Sequence, residues 1–170
     1  LQENLTLSQF GFAVSSAGDV NGDGYTDVIV GAYLYNNGQP GEGAAFVYHG
    51  SATGIGNVYS VLLDVNQVSA HFGASVACAG DINGDGYSDV IVGANSYDNG
   101  ESNEGAAFVY SGSPAGINAV ATAILEINQA GADMGRTVRG AGDVNGDGYS
   151  DVIVGATQFD NPENNEGAAF

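Results

Sequence analysis

The stretch D-V-N-G-D-G-Y-T-D-V-I-V-G-A, Asp19 to Ala32, decides how this chain is read. It returns as D-I-N-G-D-G-Y-S-D-V-I-V-G-A from Asp81 to Ala94, and as D-V-N-G-D-G-Y-S-D-V-I-V-G-A from Asp143 to Ala156. Successive copies start 62 residues apart. The first half of each copy is polar and glycine-rich, with carboxylate or carboxamide side chains at positions 1, 3, 5 and 9. The second half is consecutive and β-branched, which suits a strand buried on both faces. Each copy therefore predicts a tight polar loop running directly into a core strand.

Working outward, the period of 62 covers the whole chain. Phe10–His71 is one unit, Phe72–Asp133 the next, and Met134–Phe170 a third that stops early. Leu1–Gln9 aligns with Leu63–His71 and is expected to be the last strand of a preceding unit. Four strands are predicted per unit. In the first unit these are Phe12–Ala17, Asp27–Ala32, Gly43–Gly50 and Val58–Val65, with the acidic loop between the first two. Connections this short join neighbouring antiparallel strands. The expected fold is all-β: blades of four antiparallel strands in tandem, of the β-propeller type. A solenoid competes, but its repeats are usually shorter. The paired Ala44-Ala45, Ala106-Ala107 and Ala168-Ala169 would let sheets approach closely.

Composition agrees with many tight turns. There are 28 glycines and no collagen triplet. The formal charge is −18, from 20 acidic residues against Arg136 and Arg139, with no lysine. Such a field repels nucleic acid and anionic membranes and attracts cations. Neither nucleic-acid binding nor membrane insertion is expected. Cys78 is alone, so no intrachain disulfide can form, and small residues at its repeat equivalents read it as a packing residue.

Nine of the 20 acids sit in the three loops. Calcium takes six to eight oxygen ligands in flexible geometry. Side chains at loop positions 1, 3, 5 and 9, with the backbone carbonyl at 7, could wrap one ion. The predicted ligands are Asp19, Asn21, Asp23, Tyr25 (carbonyl) and Asp27 in the first loop. They are Asp81, Asn83, Asp85, Tyr87 and Asp89 in the second, and Asp143, Asn145, Asp147, Tyr149 and Asp151 in the third. About three Ca2+ per chain are expected, one per unit. Oxygen-only ligation argues against zinc and copper, and magnesium prefers a tighter octahedron. An EF-hand would need an acidic ligand at position 12 inside a helix. That position holds Val30, Val92 or Val154, in a strand-like run.

These features together resemble the FG-GAP repeat. Its signs here are Phe10-Gly11 and Phe72-Gly73 at the unit starts, the D-x-N-G-D-G-Y-x-D loop, and Val-Gly-Ala at Val30–Ala32, Val92–Ala94 and Val154–Ala156. The resemblance implies the β-propeller of integrin α subunits and many bacterial surface proteins. It also implies calcium in the loop between the first two strands of a blade. The chain departs from the pattern in two places. Tyr33, Asn95 and Thr157 stand where a proline follows Gly-Ala, and the third unit opens with Met134-Gly135. Neither change touches a predicted ligand.

No nucleophile lies beside a plausible base, so an enzyme is not expected. The expected role is an extracellular or cell-surface calcium-binding repeat protein serving structure, adhesion or assembly. Its partner would be another protein or neighbouring copies of itself: the chain is expected either to be part of a longer surface protein or to assemble head to tail, Leu1–Leu7 of one copy completing the last blade of its neighbour in a ring or filament. A lectin-like propeller is the alternative, with Tyr33, Tyr35, Tyr97 and Phe159 either stacking on glycans or packing beneath their loop. A non-catalytic segment of a secreted hydrolase is another. Glu42, Glu104 and Glu166 read as outer ligands or edge charges, and His49 and His71 as surface positions. Arg136 and Arg139 are left between an ion pair and an interface contact. Asn4-Leu5-Thr6 fits the N-glycosylation pattern.

Overall fold

The computed structural model describes Leu1 and residues 6–170. Among the described residues, eleven strands fall into three sheets, each meandering in chain order. The first blade is β1 (Ala13–Gly18), β2 (Asp27–Ala32), β3 (Ala44–Tyr48) and β4 (Val61–Leu63). The second is β5 (Phe72–Gly80), β6 (Asp89–Ala94), β7 (Ala106–Tyr110) and β8 (Ala123–Leu125). The third holds β9 (Met134–Gly142), β10 (Asp151–Ala156) and β11 (Ala168–Ala169). All pairs within a sheet are antiparallel, and no sheet closes on itself. The fold is thus all-β, built from propeller-type blades in an open array.

The core lies between blades rather than inside one. Ile29, Ala45 and Val47 of the first blade share a cluster with Phe72, Val92, Ala94 and Phe108 of the second. Ile91, Ala107 and Val109 then face Met134, Val138 and Val154 of the third. Val30, Ala44, Phe46 and Tyr48 point to the opposite side of the first blade. The period-2 alternation of strands explains why an unbroken run such as Val28–Val30 serves two interfaces at once. In β6 every residue is buried, whereas β10, with no blade beyond it in this structure, is only partly so.

Glycines set how close the blades come. A Cβ on Gly31 would lie 2.0 Å from the carbonyl oxygen of Gly73, and one on Gly93 would lie 2.0 Å from that of Gly135. Gly73 itself has φ +84° and rests against the Ala44 carbonyl. The phenylalanine before it is fully buried, with Phe108 and Tyr110 edge-on at 5.5 and 6.2 Å. Met134 fills the equivalent place in the third blade and is also buried. The small residues of β3 and β7 thus permit the close approach expected of the alanine pairs.

Two expectations need correction. The fourth strand is shorter than Val58–Val65: only Val61–Leu63 pairs with β3, and Val58 is 75 % exposed. The chain is still bending out of the Ser51–Asn57 loop there, and an outermost strand has a neighbour on one side only. The first strands of the later blades begin earlier than predicted, because Phe72 pairs with Ala94 and Met134 with Ala156 across a bulge; the same two residues also bridge in parallel to Gly43 and Gly105 of the preceding blade. Residues 2–5 of the strand expected within Leu1–Gln9, with Asn4 and Leu5 of the sequon, lie outside the described residues, and residues 6–9 are not in a strand.

Candidate metal centre

Each acidic loop turns at the same corner of its blade, between the innermost strand and the next. In the first, Asp19 organises the turn. Its Oδ1 accepts the N–H of Gly22 (2.7 Å) and Asp23 (3.1 Å), and its Oδ2 accepts that of Gly24 (2.8 Å). Asn21 Oδ1 accepts Asp23 N–H at 3.1 Å, and its Nδ2 donates to Asp23 Oδ2 at 3.0 Å. Asp23 Oδ1 accepts Tyr25 N–H at 2.9 Å. The same bonds recur around Asp81, Asn83 and Asp85, and around Asp143, Asn145 and Asp147. Gly22 and Gly24 hold φ of +74° and +86°, which lets alternate side chains turn to one side.

The ninth residue behaves differently. Asp27 is fully buried, and its two oxygens accept Val20 N–H (2.9 Å) and Gly50 N–H (2.7 Å). Asp89 does the same with Ile82 (2.9 Å) and Gly112 (2.8 Å), and Asp151 accepts Val144 N–H at 2.8 Å. The structure therefore gathers positions 1, 3 and 5 into one hydrogen-bonded ring and sets position 9 at its base. Among the described residues, no three carboxylate, imidazole or thiol groups converge into a ready-made metal shell.

The electrostatics leave the loops short of positive charge. Burial raises the pKa of Asp89, helped by the like charges of Asp85 and Asp81 and opposed by its two backbone hydrogen bonds. Asp143, in the open third loop, moves the other way, chiefly because Gly148 N–H bonds its charged form. Among the described residues, these nine carboxylates bond backbone N–H groups and the neighbouring Asn amide, not cationic side chains. An all-oxygen donor set of this charge fits a hard divalent cation. Asp19, Asn21 and Asp23, with the Tyr25 carbonyl and Asp27, would hold it in the first loop.

The loops are not independent. Ser88 N–H donates to the Asp19 carbonyl at 3.0 Å, and Ser150 N–H donates to that of Asp81 at 2.9 Å. The Tyr87 ring lies on Gly22, and the Tyr149 ring lies on Gly84. The first and second loops are thus each covered by the next. Sequence alone assigns these tyrosines only a carbonyl role, and recurrence at 62 residues is the one hint of more. Two glutamines likewise recur as clasps: Gln67 bonds the backbone of Asp98 at 2.8 and 2.9 Å, and Gln129 that of Asp160 at 2.7 and 3.1 Å.

Two of the three recurring glutamates are not edge charges, whereas Glu166 is exposed. Glu42 and Glu104 are fully buried, and their Oε1 atoms accept the N–H of Asn37 and Asn99 across the loop after the second strand. Their other oxygens have no partner among the described residues. Tyr35, Tyr97 and Phe159 pack edge-on against Phe46, Phe108 and Phe170 beneath the same loops. Only Tyr33, beside Phe12 at 4.4 Å, stands apart from this pattern.

Meandering four-stranded blades, stacked face to face with an acidic loop at one repeated corner, define a propeller-type repeat protein. Likeness to known proteins narrows the class. The chain belongs to the FG-GAP repeat family, whose sequence model matches residues 10–48, 72–110 and 134–170. It is similar to integrin alpha-V of Gallus gallus, 36 % identical over 160 residues, covering 89 % of this chain and 15 % of that protein. Integrin alpha-5 of Xenopus laevis is 33 % identical over 162 residues, covering 90 % and 15 %. Human integrin alpha-7 is 36 % identical over 159 residues, covering 91 % and 12 %. The chain therefore spans about a seventh of the length of these relatives.

Proposed function

We propose that this chain is a calcium-stiffened segment of an extracellular adhesion or assembly protein, not an enzyme. Its working units are 10–71, 72–133 and 134–170, with one Ca2+ in each acidic loop. The observation that carries this reading is the threefold ring of Asp19, Asn21 and Asp23 and their equivalents, held by backbone N–H groups and set over Asp27, Asp89 or Asp151. Three carboxylates close together repel one another, and a divalent ion would convert that repulsion into cross-linking. Because Ser88 and Ser150 tie consecutive loops, metal in one loop would also stiffen the seam to the next blade.

Likeness to integrin α chains supports a cell-surface setting and a protein partner. Among the described residues, no helix is long and apolar enough to cross a membrane. A glycan-binding role has less support, since three of the four aromatic side chains it would use are packed under their loops. The proposal is tested by thermal melting and analytical ultracentrifugation, each with millimolar calcium and with chelator. It requires a melting temperature that rises with calcium. Identical curves in both media overturn the metal's structural role.

A further inference from the structure

The repeat is near-perfect where the fold needs it, so places where it breaks are informative when they cluster in space. One such cluster lies at the start of the innermost strands. Phe12, Ala74 and Arg136 occupy the same repeat position, as do Tyr33, Asn95 and Thr157, and His71 and Asp133. Six of these residues meet. Phe12, Tyr33, His71, Ala74, Asn95 and Arg136 line one pocket of ≈ 200 Å³. A second recess of ≈ 360 Å³ adjoins it, shares Phe12, Ala74 and Arg136, and adds Arg139. A threefold-repeated scaffold has thus built one unrepeated site.

Its chemistry is opposite to that of the rest of the molecule. Arg136 and Arg139 are the chain's only basic residues other than histidine, in a chain of charge −18. Both are exposed, and no carboxylate pairs with either among the described residues. Arg139 donates to the Val138 carbonyl at 2.8 Å, which leaves most of its guanidinium unused. Asp133, the acid whose charge acts on His71, is engaged elsewhere: it accepts from Asn95 Nδ2 (2.7 Å) and from Thr157 Oγ1 (2.6 Å). Burial first, and then Arg136, lowers the pKa of His71 against the opposing pull of Asp133, so its ring is neutral at pH 7. Positive charge in the pocket therefore comes from the arginines. The walls are aromatic, with Tyr33 between Phe12 at 4.4 Å and His71 at 5.6 Å.

We propose that this pocket binds a carboxylate joined to an apolar or aromatic body. Arg136 would grip the carboxylate through two parallel N–H donors, and the Phe12–Tyr33 wall would receive the body. The acid could come from the C-terminus of a protein segment or from an acidic sugar, and the two differ in the body they present. N-acetylphenylalanine serves as the first probe, its primary amide as the uncharged match, and glucuronate as the polar acid. Binding is followed by amide chemical-shift changes in the 170-residue chain, with and without calcium, so that a failure of the calcium reading does not decide this one. The expected result is binding of N-acetylphenylalanine at least tenfold tighter than its amide, with shifts centred on residues 71–76, 95 and 133–137. Arg136→Gln should erase the preference for the acid, and Tyr33→Ala should weaken the acid severalfold while keeping that preference. Equal binding of acid and amide, no binding, or full affinity in Arg136→Gln overturns the proposal. Glucuronate binding tighter than N-acetylphenylalanine overturns its aromatic half.

Discussion

Replacing Gly31 with alanine tests whether the blades touch backbone to backbone. Gly31 does not have positive φ, so alanine fits its conformation, and the cost comes from the neighbouring blade alone. The new methyl would sit 2.0 Å from the Gly73 carbonyl oxygen. An ordinary carbon–oxygen contact is about 3.2 Å, so the two sheets must part by roughly 1 Å along a seam filled at interior density. Overpacking of this kind costs typically 1–3 kcal/mol, and a rigid carbonyl places Gly31 near the top of that range. Lower chain entropy in the unfolded state returns about 0.4–1 kcal/mol. A net loss of roughly 2 kcal/mol would lower Tm by roughly 4–8 °C in a chain of this size. The structure supplies its own controls. Gly93→Ala meets the Gly135 carbonyl at the same 2.0 Å and should behave alike. Gly155→Ala meets chiefly the Thr137 hydroxyl, a side-chain end that can turn away, and should cost less. Gly56→Ala meets nothing within 4 Å and should be neutral. The assay is urea unfolding of all four variants in saturating calcium, read as the midpoint at constant m. If Gly31→Ala and Gly56→Ala unfold at the same midpoint, the backbone contact between blades is refuted.

Other outcomes follow from the same structure. Chelation should lower Tm; at free calcium one hundred times Kd, each occupied loop adds about 2.7 kcal/mol, and scanning calorimetry with and without chelator reads the loss. Glu42→Ala should destabilise by about 1 kcal/mol, because Asn37 N–H loses a part-buried hydrogen bond, whereas Glu166→Ala, at an exposed position, should change urea stability little. For His71 the folded pKa lies below the unfolded one, so the unfolded chain takes up the proton first as pH falls. Its contribution to stability is therefore complete above about pH 6.5 and is lost on acidification below it. His71→Gln should flatten that part of the pH–stability curve, measured in chelator so that proton-driven metal release does not enter.

Much of this architecture is legible in the sequence, because repetition turns one local reading into three. The Val-Ile-Val runs, the loop before them and the order of strands follow from periodicity and turn chemistry alone. The fourth strand is where propensity overreaches: Val58 and Tyr59 favour a strand, yet at a blade's outer edge pairing with β3 reaches only Val61–Leu63. What the sequence hides depends on contacts between units. The Tyr87 ring over Gly22, the Ser88 bond to Asp19 and the Gln67 clasp all join residues about 30 or more positions apart. Glu42 misleads because a carboxylate beside a turn reads as a surface charge, and only the folded loop shows that it is buried and accepts the Asn37 N–H. Asp27 reads as a ligand from its loop position, but its backbone partners Val20 and Gly50 cannot be inferred from the loop itself.

The central claim is that three acidic loops hold three ions, and isothermal titration of metal-stripped protein with calcium tests it most directly. About three sites per chain are predicted, falling by one each in Asp23→Ala, Asp85→Ala and Asp147→Ala, with the folded spectrum retained. Absence of calcium binding, or a stoichiometry that these substitutions leave unchanged, would contradict it.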